Sequence, residues 1–331
     1  MDLEWVSFVN PGSLNIDAIR VFGLTAKPGS DSPIGQFGTG LKYAISTIIR
    51  TGGELIVETE DESYSFTVKP KKFRGKEVFF IHMNNYELPF TTELGKNWQP
   101  WQAYRELAAN AIDEGGATLL GRGKLENGFT RVSVLHDNFP ELFNEPGSVF
   151  LDKRLRKRFA DDKIEVYDAP SKRMYYRGIR VADLEKPSMF TYNFLYPLEL
   201  TEDRTFKEIY WAKHLIMSTI IGSDDASFIK SIITSDEKEW FEGTLDFDLH
   251  GQKGERFIEV LMEIFSKDGY MMGRVKSFFK RYEISKTDKR EVVVSMTAGQ
   301  WKNVREDMKN LEGQAACEET RVSLLGKLAT L

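Results

Sequence analysis

Residues 34–42 read Ile-Gly-Gln-Phe-Gly-Thr-Gly-Leu-Lys and run directly into an apolar helix that the sequence predicts over residues 38–50. Gly35, Gly38 and Gly40 let the backbone approach a ligand closely, because glycine has no β-carbon. The helix that follows would present the free N–H groups of its first turn at the same point. This pattern predicts a phosphate-binding turn, and the alternative is a tight turn before a core helix.

A second stretch, residues 101–114, reads Trp-Gln-Ala-Tyr-Arg-Glu-Leu-Ala-Ala-Asn-Ala-Ile-Asp-Glu. A proline before it and two glycines after it predict a single helix. Helical spacing puts Glu106, Asn110 and Asp113 on one stripe. A carboxylate beside an amide suits water activation and Mg²⁺ binding, because this ion prefers oxygen ligands. The alternative is an ordinary amphipathic helix with a solvated polar face.

Both stretches resemble motifs of one superfamily. Residues 106–114 resemble the N box of the GHKL ATPases, which include Hsp90, histidine kinases, MutL, the MORC proteins and the ATPase domains of type II topoisomerases. Residues 34–42 resemble the second glycine box of these proteins, most closely in its Hsp90 and MORC forms. Residues 22–27, Phe-Gly-Leu-Thr-Ala-Lys, resemble the approach to that box in MORC proteins. The resemblance implies a protein that binds ATP and Mg²⁺.

The order of the two boxes differs from that of the superfamily. There the N box comes first, whereas here the glycine box precedes it by roughly seventy residues. A circular permutation explains this order, because permuting a compact domain moves its termini without moving its site. The expected fold class is therefore α/β, a two-layer sandwich of helices on a mixed, mostly antiparallel sheet. This would be a circularly permuted Bergerat fold, followed by a mainly helical C-terminal region.

The resemblance also implies a role for each matching residue. Asn110 would ligate Mg²⁺, Glu106 would polarise the attacking water, and Asp113 would lie near the base. Asp137, at the end of a strand predicted over residues 129–136, would hydrogen-bond adenine, although the two glycines of that superfamily box are absent. The phosphates would contact residues of the glycine box and one preceding lysine: Lys27, Gly35, Gln36, Phe37, Gly38, Thr39, Gly40, Leu41 and Lys42. For both lysines the alternative is an exposed side chain.

The composition indicates a soluble protein with a sizeable core. The 331 residues carry a net charge of −5 and a single cysteine, which excludes an internal disulfide framework. This charge implies no global attraction to nucleic acid or to an anionic membrane, and no apolar run reaches membrane-spanning length. The acidic start is unlike a signal peptide. We therefore expect a cytoplasmic protein, in the host cytoplasm if a faint resemblance to bacteriophage ATP-binding proteins reflects its origin.

The domain organisation follows from where the recognisable patterns end. We expect an ATP-binding domain at residues 1–200 and a mainly helical domain at residues 201–331. Residues 23–33 are rich in Gly, Pro and Ser, which predicts either a loop that closes over nucleotide or a plain connection. Two basic runs, residues 69–76 and 153–158, predict a hairpin turn and the exposed face of a helix, with an anionic partner as the alternative.

Apolar alternation predicts strands over residues 54–60, 63–68 and 77–83, and a hairpin of residues 164–167 with residues 174–181. Helical periodicity predicts later helices, the clearest over residues 206–221 and 226–234.

Two functions of different classes fit these patterns. The first is a slow, Mg²⁺-dependent ATPase whose nucleotide state drives a conformational change, and the carboxylate of Glu106 favours hydrolysis. The second is a nucleotide-gated interaction module that binds ATP without hydrolysing it. Its C-terminal region would contact a protein partner or a second copy of the chain. No phosphoacceptor histidine, catalytic tyrosine or basic groove is evident, so a histidine kinase, a topoisomerase and a nucleic-acid partner are not favoured.

Overall fold

The structure is a computed structural model that describes residues 4–12, 16–21, 39–201, 203–245, 247, 256–257 and 259–260. The chain divides into two compact units. Unit 1 comprises Met1–Asp152 and Leu200–Thr205, and unit 2 comprises Lys153–Glu199 and Phe206–Leu331. Both are α/β in character, with an antiparallel sheet in unit 1, a mixed sheet in unit 2, and few helices in the described residues.

Unit 1 contains a sheet of seven strands, in the order β5-β4-β3-β2-β7-β1-β6. Every neighbouring pair in this sheet is antiparallel. The strands are β1 (Trp5–Pro11), β2 (Glu54–Glu58), β3 (Ser63–Phe73), β4 (Lys76–Met83), β5 (Tyr86–Thr91), β6 (Ala117–Leu120) and β7 (Phe129–Leu135). Thus β1 lies between two strands that follow it in sequence by more than a hundred residues. The start of the chain is therefore an inner strand of the sheet, not an edge strand.

The described residues of unit 1 form four helices: α1 (Asp17–Arg20), α2 (Gly40–Arg50), α3 (Pro100–Asp113) and α4 (Phe139–Asn144). The helices predicted after the glycine box and at the N box are confirmed as α2 and α3. Pro100 occupies the start of α3, and Gln99 and Gln102 form a reciprocal capping box there. The helices pack through Ile45, Ile48 and Leu107, which belong to the same buried core as sheet residues such as Val6, Leu55 and Val134. Burial of each such side chain stabilises the fold by about 1.5–3 kcal/mol.

Unit 2 contains a sheet of five strands in the order β11-β10-β12-β9-β8, in which only β10 and β12 are parallel. The strands are β8 (Lys157–Ala160), β9 (Ile164–Tyr167), β10 (Ser171–Tyr176), β11 (Ile179–Ser188) and β12 (Thr191–Phe194). The predicted helices are present as α5 (Ile209–Ile221) and α6 (Ala226–Ile233). A short 3₁₀ helix, Glu242–Thr244, follows, and the buried Glu242 carboxylate accepts hydrogen bonds from Ser188 and Tyr192.

Two local predictions were wrong. The hairpin between the strands now labelled β9 and β10 does not form, because β12 lies between them and pairs with both. The basic run at residues 153–158 is not a helix. Its last residues belong to β8, where Arg158 pairs with Asp168 and Asp225. Asp168 and Asp225 lie 10 and 67 residues further along the chain, outside the run itself, so the pattern of charges within the run contains no sign of them.

The compact unit that contains both boxes comprises residues 1–152 and 200–205, whereas residues 157–194 form the sheet of unit 2. The expected helices beyond residue 260 lie outside the described residues, as do the loop at residues 23–33 and the glycine-box residues before Thr39. None of the helices in the described part of the chain is both long and apolar enough to cross a membrane.

Candidate functional site

The centre of the candidate site is the contact between the N-box helix and the first turn of the glycine-box helix. Glu106 on α3 is buried, with 2% of its surface exposed. Its carboxylate lies so close to Gly40, the first residue of α2, that a β-carbon at Gly40 would overlap the Oε1 and Cδ atoms of Glu106. Only glycine fits at this position while Glu106 keeps its orientation. The structure therefore brings together two residues that the sequence analysis assigned to one site.

Glu106 has two polar partners. Its Oε2 atom accepts a charge-assisted hydrogen bond from the guanidinium of Arg204, which is also buried. The amide nitrogen of Asn110, one turn further along α3, donates to Oε1 at 3.4 Å. Burial raises the pKa of Glu106, and the positive charges of Arg204 and Arg105 oppose that rise. The Glu106 carboxylate is thus paired with the Arg204 guanidinium at a position with little exposure to solvent.

Arg204 was not predicted as a site residue. It lies in residues 200–205, the segment that returns to unit 1, and Arg105 binds this segment through its backbone. The guanidinium of Arg105 donates to the carbonyl oxygens of Asp203 and Arg204 at 2.9 and 3.1 Å. Trp98 donates its indole N–H to the Asp203 carboxylate at 2.6 Å. Arg204 itself has φ = 54°, a left-handed conformation that costs a non-glycine residue energy and is often found at functional sites.

The remaining described residues of the glycine box are Thr39, Leu41 and Lys42. Thr39 is the N-cap residue of α2, and both Thr39 and Leu41 are partly buried. The side chain of Lys42 is almost entirely buried, with 1% exposed, and burial lowers its pKa. The prediction that Lys42 contacts phosphate stays a prediction, as do those for Lys27 and residues 35–38, which the structure does not describe.

The other end of the Glu106–Asn110–Asp113 stripe lies beside the end of β1. Asp113 is exposed, and its negative charge acts on both Glu106 and Arg204. The next residue, Glu114, accepts a hydrogen bond from the side-chain amide of Asn10 at 2.6 Å. Asn10 is near the end of β1 and was not predicted as a site residue. The structure therefore adds Asn10 to the residues around this helix.

Asp137 lies elsewhere. It follows β7, and its neighbour His136 contacts Thr51 at the C-terminal end of α2, with 2.9 Å between Nε2 and Oγ1. Glu106 instead faces Gly40 at the N-terminal end of α2. Because α2 has 11 residues, its two ends are about 16 Å apart at 1.5 Å per residue. The structure does not bring Asp137 together with Glu106 and Asn110.

His136 gives unit 1 a pH dependence of stability. Its Nδ1 atom accepts a hydrogen bond from the backbone N–H of Asn138 at 3.1 Å, and burial lowers its pKa, opposed by the charge of Asp137. As the pH falls, His136 is therefore protonated at a higher pH in the unfolded chain than in the folded chain. The contribution of neutral His136 to the free energy of unfolding is complete above the pKa of histidine in the unfolded chain. It is lost as the pH falls through the pKa of His136 in the folded chain.

We expect the free energy of unfolding of wild type, measured in urea, to fall relative to that of His136→Gln as the pH is lowered from about 7.5 to about 5. Histidine titrates in this range. A stability difference between the two proteins that is the same at both pH values would contradict this assignment.

Two concave regions of the described chain contain none of the predicted site residues. One, of about 280 Å³, lies in unit 1 beside Ser7, Val9 and Arg131, residues that alternate with the core residues of their strands. The other, a groove of about 630 Å³ in unit 2, is lined by Lys163, Tyr196, Trp211 and His214 among others. Within the described residues, no cluster of three or more His, Cys, Asp or Glu side chains could hold a metal ion.

Comparison with known proteins adds no assignment. No family model, curated protein or solved structure matches this chain.

Proposed function

We propose that the chain is a Mg²⁺-dependent ATP-binding protein that hydrolyses ATP slowly, built on a circularly permuted Bergerat fold in which helices cover one face of the unit 1 sheet as a two-layer sandwich. The observation that carries this proposal is the contact of Gly40 with Glu106. Two motifs about seventy residues apart in sequence meet at one point, where a helix begins and a buried carboxylate faces it. The N–H groups of the first turn of α2 suit phosphate oxygens.

Hydrolysis of a phosphoanhydride requires a positioned water and neutralised charge more than it requires a covalent nucleophile. Glu106 is the group that would orient and polarise this water. Its pairing with Arg204 is consistent with slow turnover, because a carboxylate engaged by a guanidinium is a weak base. A terminal phosphate competes with Glu106 for Arg204, so substrate would itself release the carboxylate.

Asn110 fits a role as a Mg²⁺ ligand. Its amide nitrogen is directed to Glu106, so its Oδ1 atom faces the other way and is the atom that a metal would use. Magnesium sites commonly take one or two protein oxygens and complete their coordination with phosphates and water.

The adenine end of the site is proposed at Asp113 and Asn10. These residues extend the stripe that begins at Glu106, and the hydrogen bond between Asn10 and Glu114 fixes the end of β1 against α3. Asp137 was the candidate named from the sequence, but it lies at the far end of α2. Exchanging Asn10 and Asp137 separately distinguishes the two locations.

Isothermal titration of ATP into the purified full-length protein tests the proposal. Wild type is expected to bind in a Mg²⁺-dependent manner, and Asn110→Ala should weaken binding by about tenfold or more, the equivalent of about 1.4 kcal/mol. Asn10→Ala should also weaken binding, whereas Asp137→Asn, the matched control, should bind like wild type. Absence of ATP binding by wild type, or no effect of Asn110→Ala, would reject the proposal.

The alternative function is a nucleotide-gated interaction module that binds ATP without turnover, offering its C-terminal region to a protein partner or to a second copy. The Glu106–Arg204 pair favours this alternative, because it occupies the carboxylate that hydrolysis would need. Phosphate release measured for wild type and Glu106→Gln separates the two: a rate above background that Glu106→Gln abolishes supports hydrolysis. ATP binding without phosphate release above background supports the nucleotide-gated interaction module.

A further inference from the structure

Strands β3 and β4 continue beyond the rest of their sheet as a two-stranded ribbon, residues 67–80. β2 pairs with β3 only as far as Ser65, and β5 pairs with β4 only as far as Phe80. The register of β3 and β4 continues without interruption to the pair Phe73 and Lys76. From residue 67 to residue 77 every side chain is exposed. A ribbon that buries so little apolar surface contributes little to the stability of the fold.

The ribbon concentrates positive charge on a chain whose net charge is −5. It carries five cationic side chains, Lys69, Lys71, Lys72, Arg74 and Lys76, and a single acidic one, Glu77. Cations occur on both faces, because successive side chains of a strand alternate. Aromatic side chains lie between them, and at the tip Phe73 is 59% exposed. Lys71 is paired with Glu87 at 2.6 Å, and no comparable pairing of Lys69, Lys72 or Lys76 is seen in the described residues.

The tip of the ribbon holds a cation in an unfavourable backbone conformation. Arg74 has φ = 48° and Gly75 has φ = 78°, so both central residues of the two-residue turn are left-handed, as in a type I′ turn. Asn-Gly is the preferred pair for such a turn, because asparagine tolerates this region better than most side chains. A strained residue at an exposed tip points to a role for its side chain other than stability.

We propose that this ribbon binds duplex DNA by entering one of its grooves tip first. The paired stretch from Lys69 to Phe73 is about 17 Å long, at 3.4 Å per residue, and its two strands are about 5 Å apart. The major groove of B-DNA is about 12 Å wide and about 8.5 Å deep, and it admits a two-stranded ribbon. Phe73 and Arg74 then reach the floor of the groove, while Lys69, Lys72 and Lys76 meet the phosphates of its walls.

Two features favour nucleic acid over an acidic protein partner. Cations on both faces match a ligand that surrounds the ribbon with two phosphate backbones, whereas a protein surface would meet one face. The exposed Phe73 and the planar guanidinium of Arg74, 5.5 Å from the ring, are suited to base edges in the major groove, where arginine bonds guanine and an apolar side chain contacts the thymine methyl. Duplex RNA is a poorer fit, because its major groove is deep and narrow. The proposal concerns a surface separate from Glu106 and does not depend on the proposed ATPase function.

The experiment is fluorescence anisotropy of a short labelled DNA duplex titrated with full-length protein at several salt concentrations. Replacing Lys69, Lys72 and Lys76 together with Gln is expected to weaken binding by tenfold or more, and to reduce the slope of log K against log salt by about 2.7, roughly 0.9 for each lost phosphate contact. The matched control replaces three exposed lysines elsewhere with Gln: Lys124, Lys172 and Lys238. It changes the net charge equally and should bind nearly as wild type does.

Arg74→Asn tests DNA binding separately from the stability of the fold. This variant should raise the melting temperature by about 2 °C or leave it unchanged, because Asn-Gly suits the turn. At the same time it should weaken DNA binding by roughly threefold to tenfold. The chain offers a close control in Arg177, which has φ = 50°, precedes Gly178 and lies over the ring of Tyr176 at 5.2 Å. Arg177→Asn should leave DNA binding unchanged.

Three results would overturn the proposal. The first is a wild type that does not bind duplex DNA but does bind polyglutamate, which would assign the ribbon to an acidic protein. The second is equal loss of DNA affinity in the triple variant and its control, or in Arg74→Asn and Arg177→Asn. The third is tighter binding to duplex RNA than to duplex DNA of the same sequence.

Discussion

Glu106→Ala is expected to lower the free energy of unfolding by about 3–5 kcal/mol, the usual consequence of removing one partner from a buried ion pair. The reason is the guanidinium of Arg204, which the variant leaves inside the fold without its carboxylate. Burial lowers the pKa of Arg204, and the charge of Glu106 is the main influence that opposes this shift. Urea unfolding, followed by circular dichroism and by the fluorescence of the tryptophans, measures the loss.

The matched comparison is a double-mutant cycle of Glu106→Leu and Arg204→Met. Glu106→Leu alone should be destabilising for the same reason as Glu106→Ala, and Arg204→Met alone should be similarly destabilising, because it leaves the Glu106 carboxylate buried beside Gly40. Glu106→Leu combined with Arg204→Met removes both charges and should recover most of the loss, as apolar replacements of buried ion pairs do. Losses that simply add in the double variant would show that the two side chains do not depend on each other, and would contradict the ion pair described above.

Gly40→Ala is expected to destabilise the protein by about 1–3 kcal/mol or more, the range for inserting a carbon atom into a packed region. The new methyl group would overlap the Glu106 carboxylate, which its bond to Arg204 prevents from moving aside. ATP affinity, where the proposed function holds, should fall with it, because the first turn of α2 must shift. Thermal unfolding and calorimetric titration measure the two effects.

The sign of the change in stability caused by Gly40→Ala should depend on residue 106. In the Glu106→Ala background the clash is absent, so Gly40→Ala should become stabilising by about 0.5–1 kcal/mol, as expected for alanine in place of glycine within a helix. Gly123→Ala serves as the control, because a β-carbon there meets nothing within 4 Å. It should change stability by less than about 0.5 kcal/mol. The same destabilisation by Gly40→Ala in both backgrounds would disprove the contact.

The sequence predicted the two helices of the site because their signals are local. Pro100, the flanking glycines and the apolar spacing of α3 all lie within about fifteen residues, and the same holds for α2. The pairing of Glu106 with Asn110 follows from helix geometry alone. The placement of Glu106 and Gly40 in one site came from a resemblance between motifs, since no local rule relates residues that far apart.

Other features could not be predicted because they depend on which distant segments meet. Arg204 follows Glu106 by 98 residues, and its surroundings in sequence read as a turn before a helix. The strand β1 begins near the N-terminus, and its pairing with β6 and β7 places Asn10, rather than Asp137, beside the end of α3. The β3–β4 ribbon read as a basic turn, because strands exposed on both faces have no apolar alternation.

The separation of Glu106 and Arg204 along the chain has a consequence for synthesis on the ribosome. At about 5–20 residues per second, Arg204 is made about 5–20 seconds after Glu106. During that interval α3 can form, but the nascent chain lacks Arg204, the residue whose guanidinium pairs with the Glu106 carboxylate in the finished fold. Unit 1 therefore completes its packing only after most of the unit 2 sheet has emerged, and the order of translation delays closure of the site until the whole of residues 153–199 has been made.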